Sequence, residues 1–280
     1  MSVYFNDRFV KNEEALLHVS DLSMQRGYAI FDFFRTVNGV PLFMEDHLDR
    51  FTASSIAMHL SPNKSREEIR SIVQELLQRS SLSEAGIRLM LTGGYATDSY
   101  LPATPNLLIT CNPAKTATAN DFEKGLSVIT YEHQRQLPHI KSINYLMAVW
   151  LQPLLKEKNA DDLLYYNKES ITELPRSNVF IVTADNKLIT PAYNILYGIT
   201  RKNIIKLAAE IMPVEERNIT TDEILQASEV FLTATTRKIL PILKINDQVI
   251  GNAKPGPVTT NLFERFLELE KVQPAFKTQS

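Results

Sequence analysis

The chain has 280 residues, 44% hydrophobic and 22% charged, with a formal net charge of −2, a profile that suits one large or two medium soluble domains. That charge gives no broad electrostatic pull toward nucleic acid or an anionic membrane, and with no long apolar run and no basic-then-apolar start in MSVYFNDRFV, neither a transmembrane helix nor a signal peptide is expected. The single cysteine, Cys111, excludes an intrachain disulfide and suits a reducing cytoplasm, and the five histidines (18, 47, 59, 133, 139) lack metal-ligand spacing, so no metal is expected.

Ser2 to Val10 alternates weakly and predicts a first strand. Ala29 to Val37 is a stronger one. Asn38-Gly39 follows, then apolar Val40 to Met44, which is the pattern of a hairpin. Glu45 to Leu60 predicts a helix with Leu48, Phe51 and Met58 on one stripe, and Ser61-Pro62 ends it. Arg66 to Gln78 predicts a second helix from Ile69, Ile72, Val73, Leu76 and Leu77. Strands follow at Gly86–Thr92 and Asn106–Cys111. Residues 113–125, PAKTATANDFEKG, are polar and aperiodic and are read as an interdomain loop. This gives an N-terminal domain over 1–112 and a C-terminal domain over 126–280.

The second half opens with a strand, Leu126 to Tyr131, and an apolar helix over Tyr145–Lys158. A strand at Leu163–Tyr166 comes next. Asn178–Thr183 and Lys187–Thr190 form a hairpin. Ile199–Ile211 is a helix, Glu229–Thr233 a strand, Ile239–Ile250 a hairpin turning at Asn246-Asp247, and Pro257–Leu269 a closing helix before a frayed end. Strands grouped in hairpins with helices between them indicate α+β rather than a doubly wound parallel sheet.

Four features could serve one chemistry. Lys141 sits between the strand ending at Tyr131 and the helix from Tyr145, flanked by Ile140, Ile143 and Leu146. A partly buried amine there could form an imine with an aldehyde, although most lysines are solvated surface charges. Glu173 could be an ordinary loop charge or could face a heterocyclic nitrogen and keep it protonated. Arg50 could pair with Asp46 four residues earlier or bind phosphate. The turns Gly198-Ile199-Thr200 and Thr233-Ala-Thr-Thr236 could be simple caps and strand ends or could bind an anion through their amides. Together they meet what pyridoxal 5'-phosphate asks of a protein: an aldehyde anchor, a ring-nitrogen partner and a phosphate cup.

With these residues in view, the chain resembles the class IV (fold-type IV) pyridoxal-phosphate aminotransferases, the group of branched-chain aminotransferases, D-amino-acid aminotransferases and aminodeoxychorismate lyases. The resemblance spans almost the whole chain in motif order: Glu45-Asp-His-Leu-Asp-Arg50-Phe, Ile140-Lys-Ser-Ile-Asn-Tyr-Leu146, Ile195-Leu-Tyr-Gly-Ile-Thr-Arg201, Glu229-Val-Phe-Leu-Thr-Ala-Thr-Thr236 and Ile250-Gly-Asn-Ala-Lys-Pro-Gly-Pro257. It implies a two-domain α+β fold with hairpin-rich sheets and flanking helices, an active site between the domains, and a homodimer. It implies Lys141 as cofactor anchor and proton carrier, and Glu173 as partner of the pyridine nitrogen. Tyr145 would lie near the phenolate oxygen, Leu196 against the ring, and Arg50, Ile199, Thr200 and Thr235 at the phosphate. Gly198 and Ala234 complete the cofactor set. Phe31, Arg88, Tyr100 and Thr236 are the substrate candidates.

Departures from the family pattern bear on the substrate. Where the family has Gly-Asp-Gly-Val-Phe-Glu-Thr, this chain has Gly27-Tyr-Ala-Ile-Phe-Asp-Phe33, and Leu174-Pro-Arg176 follows Glu173 where small residues are common. D-amino-acid enzymes of the family carry an arginine and a histidine where this chain has Asp98 and Tyr100, so the usual D-specific carboxylate grip is not expected. Arg88 matches an arginine often seen in branched-chain enzymes; otherwise it reads as a sheet-edge charge. The expected function is transfer of an amino group from an L-amino acid, branched-chain-like, to a 2-oxo acid. The alternatives are a 4-amino-4-deoxychorismate lyase releasing pyruvate, for which Tyr100 speaks, and a cofactor-binding protein with little turnover.

Overall fold

In the computed structural model, which describes residues 2–273, the chain divides into two units. The first takes in the described residues up to Lys115, Ile140–Asn144 and the described residues from Glu270 onward; the second takes in Thr116–His139 and Tyr145–Leu269. The lysine stretch, expected in the C-terminal domain, therefore groups with the first unit. The frayed end expected at the C-terminus lies outside the described residues.

The first unit opens with β1 (Ser2–Phe5) and β2 (Arg8–Lys11). These are a hairpin where one strand is expected, because Asn6 takes a left-handed φ of 52° and turns the chain, a conformation asparagine tolerates better than most residues. A short α1 (Leu22–Arg26) is capped by Asp21, which accepts from the Ser23 N–H. Then come β3 (Ala29–Val37), β4 (Val40–Pro41), α2 (Met44–Ala57), α3 (Arg66–Ser80), β5 (Ala85–Thr92) and β6 (Leu107–Pro113). The strands form an antiparallel sheet in the order β2-β1-β6-β5-β3-β4. α3 begins at a capping box, Ser65 with Glu68. The stripes of α2 and α3 meet the sheet in one core: Leu48, Phe51, Ile72 and Leu76 pack with Ile30, Phe34, Ile87 and Ile109. Burying such faces is what stabilises helices of this length in water.

The second unit begins with α4 (Ala119–Lys124), inside the stretch read as a loop. Its signal is a capping box, Thr118 with Asp121, and its anchor is the buried Phe122, stacked on Phe263 at 4.4 Å between ring centroids. β7 (Leu126–Glu132) follows. The helix expected over Tyr145–Lys158 is two pieces, α5 (Leu146–Trp150) and α6 (Gln152–Glu157), because Pro153 has no N–H and fits only in a first turn. The rest runs β8 (Asp162–Asn167), β9 (Ser170–Ile171), β10 (Asn178–Val182), β11 (Leu188–Thr190), α7 (Ile199–Ala209), β12 (Val214–Glu216), β13 (Ile219–Thr220), α8 (Thr221–Leu225), β14 (Glu229–Ala234), β15 (Lys238–Ile245), β16 (Gln248–Val249) and α9 (Pro257–Lys271). The sheet order is β12-β11-β10-β14-β15-β7-β8-β9-β13, with β16 on β15, and β7 runs parallel to both its neighbours. One antiparallel and one mixed sheet, each with helices of its own unit, make the fold α+β.

Candidate active site

In the first unit, Lys141 lies on an extended segment laid along the start of β3. The Phe31 N–H donates to the Lys141 carbonyl at 2.9 Å, and the Ile143 N–H donates to the Ala29 carbonyl at 3.1 Å. The Lys141 N–H reaches Ser54 Oγ at 3.4 Å. Backbone pairing fixes the root of this side chain. Lys141 is half-buried, with Nζ 4.5 Å from the centre of the Phe31 ring. Ile140 is buried, but Leu146 is 71% exposed and does not shield the amine. The guanidinium of Arg88 lies 5.0 Å from the same Phe31 ring and 5.9 Å from that of Phe33. Arg88 is not at a sheet edge: β5 has partners on both sides, and Arg88 stands opposite Phe33 in the register. Such cation–ring contacts hold a guanidinium over an apolar platform while leaving it accessible.

Arg50 has a buried carboxylate partner, and it is Asp32 on β3. Arg50 Nε donates to Asp32 Oδ2 and Nη2 to Oδ1, both at 2.8 Å. Strand alternation explains the meeting, since Asp32 lies between Ile30 and Phe34 on the strand face that packs against α2. His47, one turn before Arg50, places Nδ1 2.7 Å from Asp32 Oδ1. Burial alone pushes the Asp32 carboxyl up, but the Arg50 and His47 charges and hydrogen bonds outweigh it and hold Asp32 well below the usual carboxylate range. An ionised carboxylate only accepts, so His47 Nδ1 carries the proton of that bond. Burial keeps the imidazole below its ordinary value, against the pull of Asp32.

In the second unit, Glu173 is buried just after β9. Its Oε1 accepts from Arg135 Nε at 2.7 Å and its Oε2 from the Leu196 N–H at 2.9 Å. The Leu196 carbonyl accepts in turn from Asn178 Nδ2 at 2.7 Å. Asn178 also governs the neighbouring turn. A Cβ on Gly198 would come 2.2 Å from Asn178 Oδ1, so only glycine fits at the start of α7. Gly198 supplies no side-chain cap to α7, whose first residues, Ile199 and Thr200, are buried. The register pairs Asn178 with Thr233, which brings the end of β14 alongside. Thr235 and Thr236 make the turn out of β14, and Ala234 pairs with Lys238. The Thr236 carbonyl accepts from the Ala117 N–H. The hydroxyls of Ser177 and Thr233 are buried there with no hydrogen-bond partner.

The remaining candidates are less fixed. Tyr145 is the half-buried N-cap residue of α5. Tyr100 is 80% exposed, with the Arg26 guanidinium 5.2 Å from its ring. The carboxylate of Asp98 accepts from the Tyr100 N–H at 2.7 Å and closes its own turn. Sequence reasoning missed Asp32, His47, Arg135 and Asn178. Only His47 carried a local signal, being one helical turn from Arg50; the others meet their partners through the fold.

These residues fit a phosphorylated heterocycle. An uncapped helix start, two buried hydroxyls with unmet hydrogen bonds and a glycine cradle suit an anion rich in acceptor oxygens. A buried carboxylate braced by an arginine suits a cationic ring nitrogen. The model of the family Amino-transferase class IV matches residues 29–245. A D-alanine aminotransferase of Bacillus licheniformis is 30% identical over 268 residues, covering 94% of each chain. A putative branched-chain-amino-acid aminotransferase of Methanocaldococcus jannaschii is also 30% identical, covering 96% of each. Among solved structures, the T.th. branched-chain amino acid aminotransferase with pyridoxamine 5'-phosphate shares the fold at a TM-score of 0.89 and 22% identity, covering 96% of this chain and 93% of that one.

Proposed function

This chain belongs to the class IV aminotransferases, enzymes of pyridoxal 5'-phosphate, and from that premise we propose that it moves the amino group of an L-amino acid with an apolar, branched-chain-like side chain to a 2-oxo acid. The observation that carries this reading is the platform around Phe31: the Lys141 amine and the Arg88 guanidinium share one aromatic ring, with Phe33 beside it. Arg88 offers a cation for a substrate carboxylate, and the phenyl rings offer an apolar wall for the side chain.

When bound, the cofactor supplies an electron sink that lowers the cost of removing the substrate's α-proton. Lys141 Nζ would hold the cofactor aldehyde and would be placed to carry that proton. Glu173 would balance the ring nitrogen, and Leu196 and Tyr145 would help to hold the ring. Arg50, Gly198, Ile199, Thr200, Ala234 and Thr235 would hold the phosphate, with Thr236 and Tyr100 toward the substrate. The enzyme works as a homodimer, a reading supported by an exposed apolar row on α5, Leu146, Val149 and Trp150. A cytoplasmic site of action accords with Cys111, which is a free thiol. No helix among the described residues is long and apolar enough to cross a membrane.

A second reading, D-alanine as donor, is favoured by the name of the Bacillus licheniformis relative. One experiment separates the two. The cofactor-loaded protein is mixed with a panel of L- and D-amino acids while its visible absorbance is followed. An L-branched-chain donor should bleach the band and a 2-oxo acid restore it, with neither change in Lys141→Ala. Bleaching by D-alanine alone would replace the first reading with the second.

A further inference from the structure

Arg135 stands outside every motif named above, yet it touches the most deeply placed carboxylate of the second unit. We infer that Arg135 is a positioning residue for Glu173: it holds that carboxylate ionised and oriented, and through it keeps the pyridine nitrogen of the bound cofactor protonated. This rests on the reading of Glu173 as the ring-nitrogen partner.

The pair is built from both ends. The side chains of Arg135 and Glu173 are 12% and 5% exposed, so neither is screened as a surface pair would be. Arg135 Nε donates to Glu173 Oε1 at 2.7 Å, while Nη2 donates to the Pro138 carbonyl at 2.5 Å. The guanidinium is thus pinned across the turn that leads into Ile140 and Lys141. Next to it, Gln134 Nε2 donates to the Asn194 carbonyl at 3.2 Å, fastening the same turn to the loop that carries Leu196. Glu173 is equally fixed. The Leu196 N–H takes its other oxygen, and the Glu173 carbonyl accepts from the Tyr165 N–H at 2.9 Å.

A buried carboxylate deprived of its cation is costly, and the usual escape is to take up a proton. A protonated Glu173 could no longer balance a cationic ring nitrogen. The ring would then lose its proton and much of its capacity as an electron sink. Arg135 also repels a ring cation directly, but Glu173 is the nearer charge, and Coulomb interaction falls with distance. The net effect of Arg135 is therefore to favour the protonated ring.

The test uses the full-length protein loaded with pyridoxal 5'-phosphate labelled with nitrogen-15 in the ring. The ring-nitrogen resonance is read at one fixed pH in the parent, Arg135→Gln, Arg135→Lys and Glu173→Gln. The parent should resonate at the protonated end of the range spanned by free cofactor in acid and base. Arg135→Gln should move toward the deprotonated end, with kcat down roughly tenfold to a hundredfold, the size usual when the outer partner of a ligating group is lost. KM for the donor should hold. Arg135→Lys keeps the charge but not the fork, and should fall between. A parent-like resonance in both Arg135 variants, with Glu173→Gln shifted, overturns the role of Arg135 and leaves that of Glu173 standing. If Arg135→Gln does not fold, a parent-like resonance in Arg135→Lys alone overturns it. A parent-like resonance in Glu173→Gln as well removes the Glu173 reading, and this inference with it.

Discussion

Asp32 is fully buried and carries two side-chain partners, a bidentate arginine and a histidine. The histidine is the member that titrates within reach of ordinary buffers. His47 is kept neutral in the folded chain, its pKa lowered from an ordinary 6.5 chiefly by burial. In the unfolded chain it takes up a proton as pH falls through that value. The unfolded state then binds more protons than the folded one, so His47 lowers stability as pH drops below about 6.5, by up to about 1.4 kcal/mol per pH unit. His133, lowered by burial and by Arg135, adds a slope of the same sign, so a variant is needed to isolate His47. His47→Asn keeps a donor for Asp32 and removes the titration. Urea unfolding at pH 7 and at pH 5.5 should show the parent losing more stability between the two than the variant. An equal loss in both would mean that His47 titrates alike in the folded and the unfolded chain. The position of Arg50 on its helix was readable from the sequence, but its buried partner Asp32 was not. Helical spacing points only to residues such as Asp46 on the same helix; Asp32 lies eighteen residues upstream on a strand, and only sheet packing joins it to Arg50. Tyr100 and Asp98 are the opposite case: their neighbours in sequence were plain, but the exposure of Tyr100 is not written there.

At the scale of elements, the C-terminal signature shows how a motif can be structural. Glu229 on β14 reaches the start of α9: its Oε1 accepts from the Val258 N–H at 3.0 Å, and its Oε2 from the Thr259 N–H and hydroxyl at 2.8 and 2.7 Å. Gly256 is glycine because a Cβ there would lie 2.0 Å from Glu229 Cδ. A buried carboxylate thus caps a fifteen-residue helix from another element and meets the positive end of its dipole. Glu229→Ala should cost about 1–3 kcal/mol, the penalty for leaving buried donors unpaired, and lower the melting temperature by several degrees. Glu229→Gln keeps an acceptor and should cost less. Cofactor absorbance per folded molecule should be unchanged in both; a loss of cofactor binding that exceeds the loss of folded protein would give Glu229 a part in the site. Long elements were legible. β3 is found over Ala29–Val37 as expected, since six β-branched or aromatic residues among its nine leave little choice. Short ones were not. β9 and β13 have two residues each, too few for any period, and exist because they pair with each other. α4 was legible in its capping box and was lost to the polar composition around it.

For the whole molecule, five motifs in order were enough to indicate the family and its α+β fold, because motif order records topology that composition does not. They did not reveal that the Lys141 stretch groups with the first unit, since that depends on two backbone hydrogen bonds to β3 that leave no trace in side-chain pattern. Nor does pattern say which apolar faces remain uncovered. Periodicity makes Tyr145–Lys158 look like a core helix, yet Leu146, Val149 and Trp150 are 71%, 67% and 64% exposed. Three large apolar side chains on one turn and a half of helix are costly to leave in water, at roughly 25 cal/mol for each Å² of apolar surface. Covering them against a second copy removes that cost without burying a charge, as α5 carries none. Sedimentation velocity should therefore give twice the chain mass at micromolar concentration. Trp150→Glu should shift the protein toward single chains, because association would then have to desolvate a carboxylate in an apolar contact. The variant's far-ultraviolet circular dichroism should stay that of the parent, since Trp150 contributes little to the core beneath it. A parent that sediments as a single chain would end the dimer reading, and a dimer untouched by Trp150→Glu would move the interface away from α5.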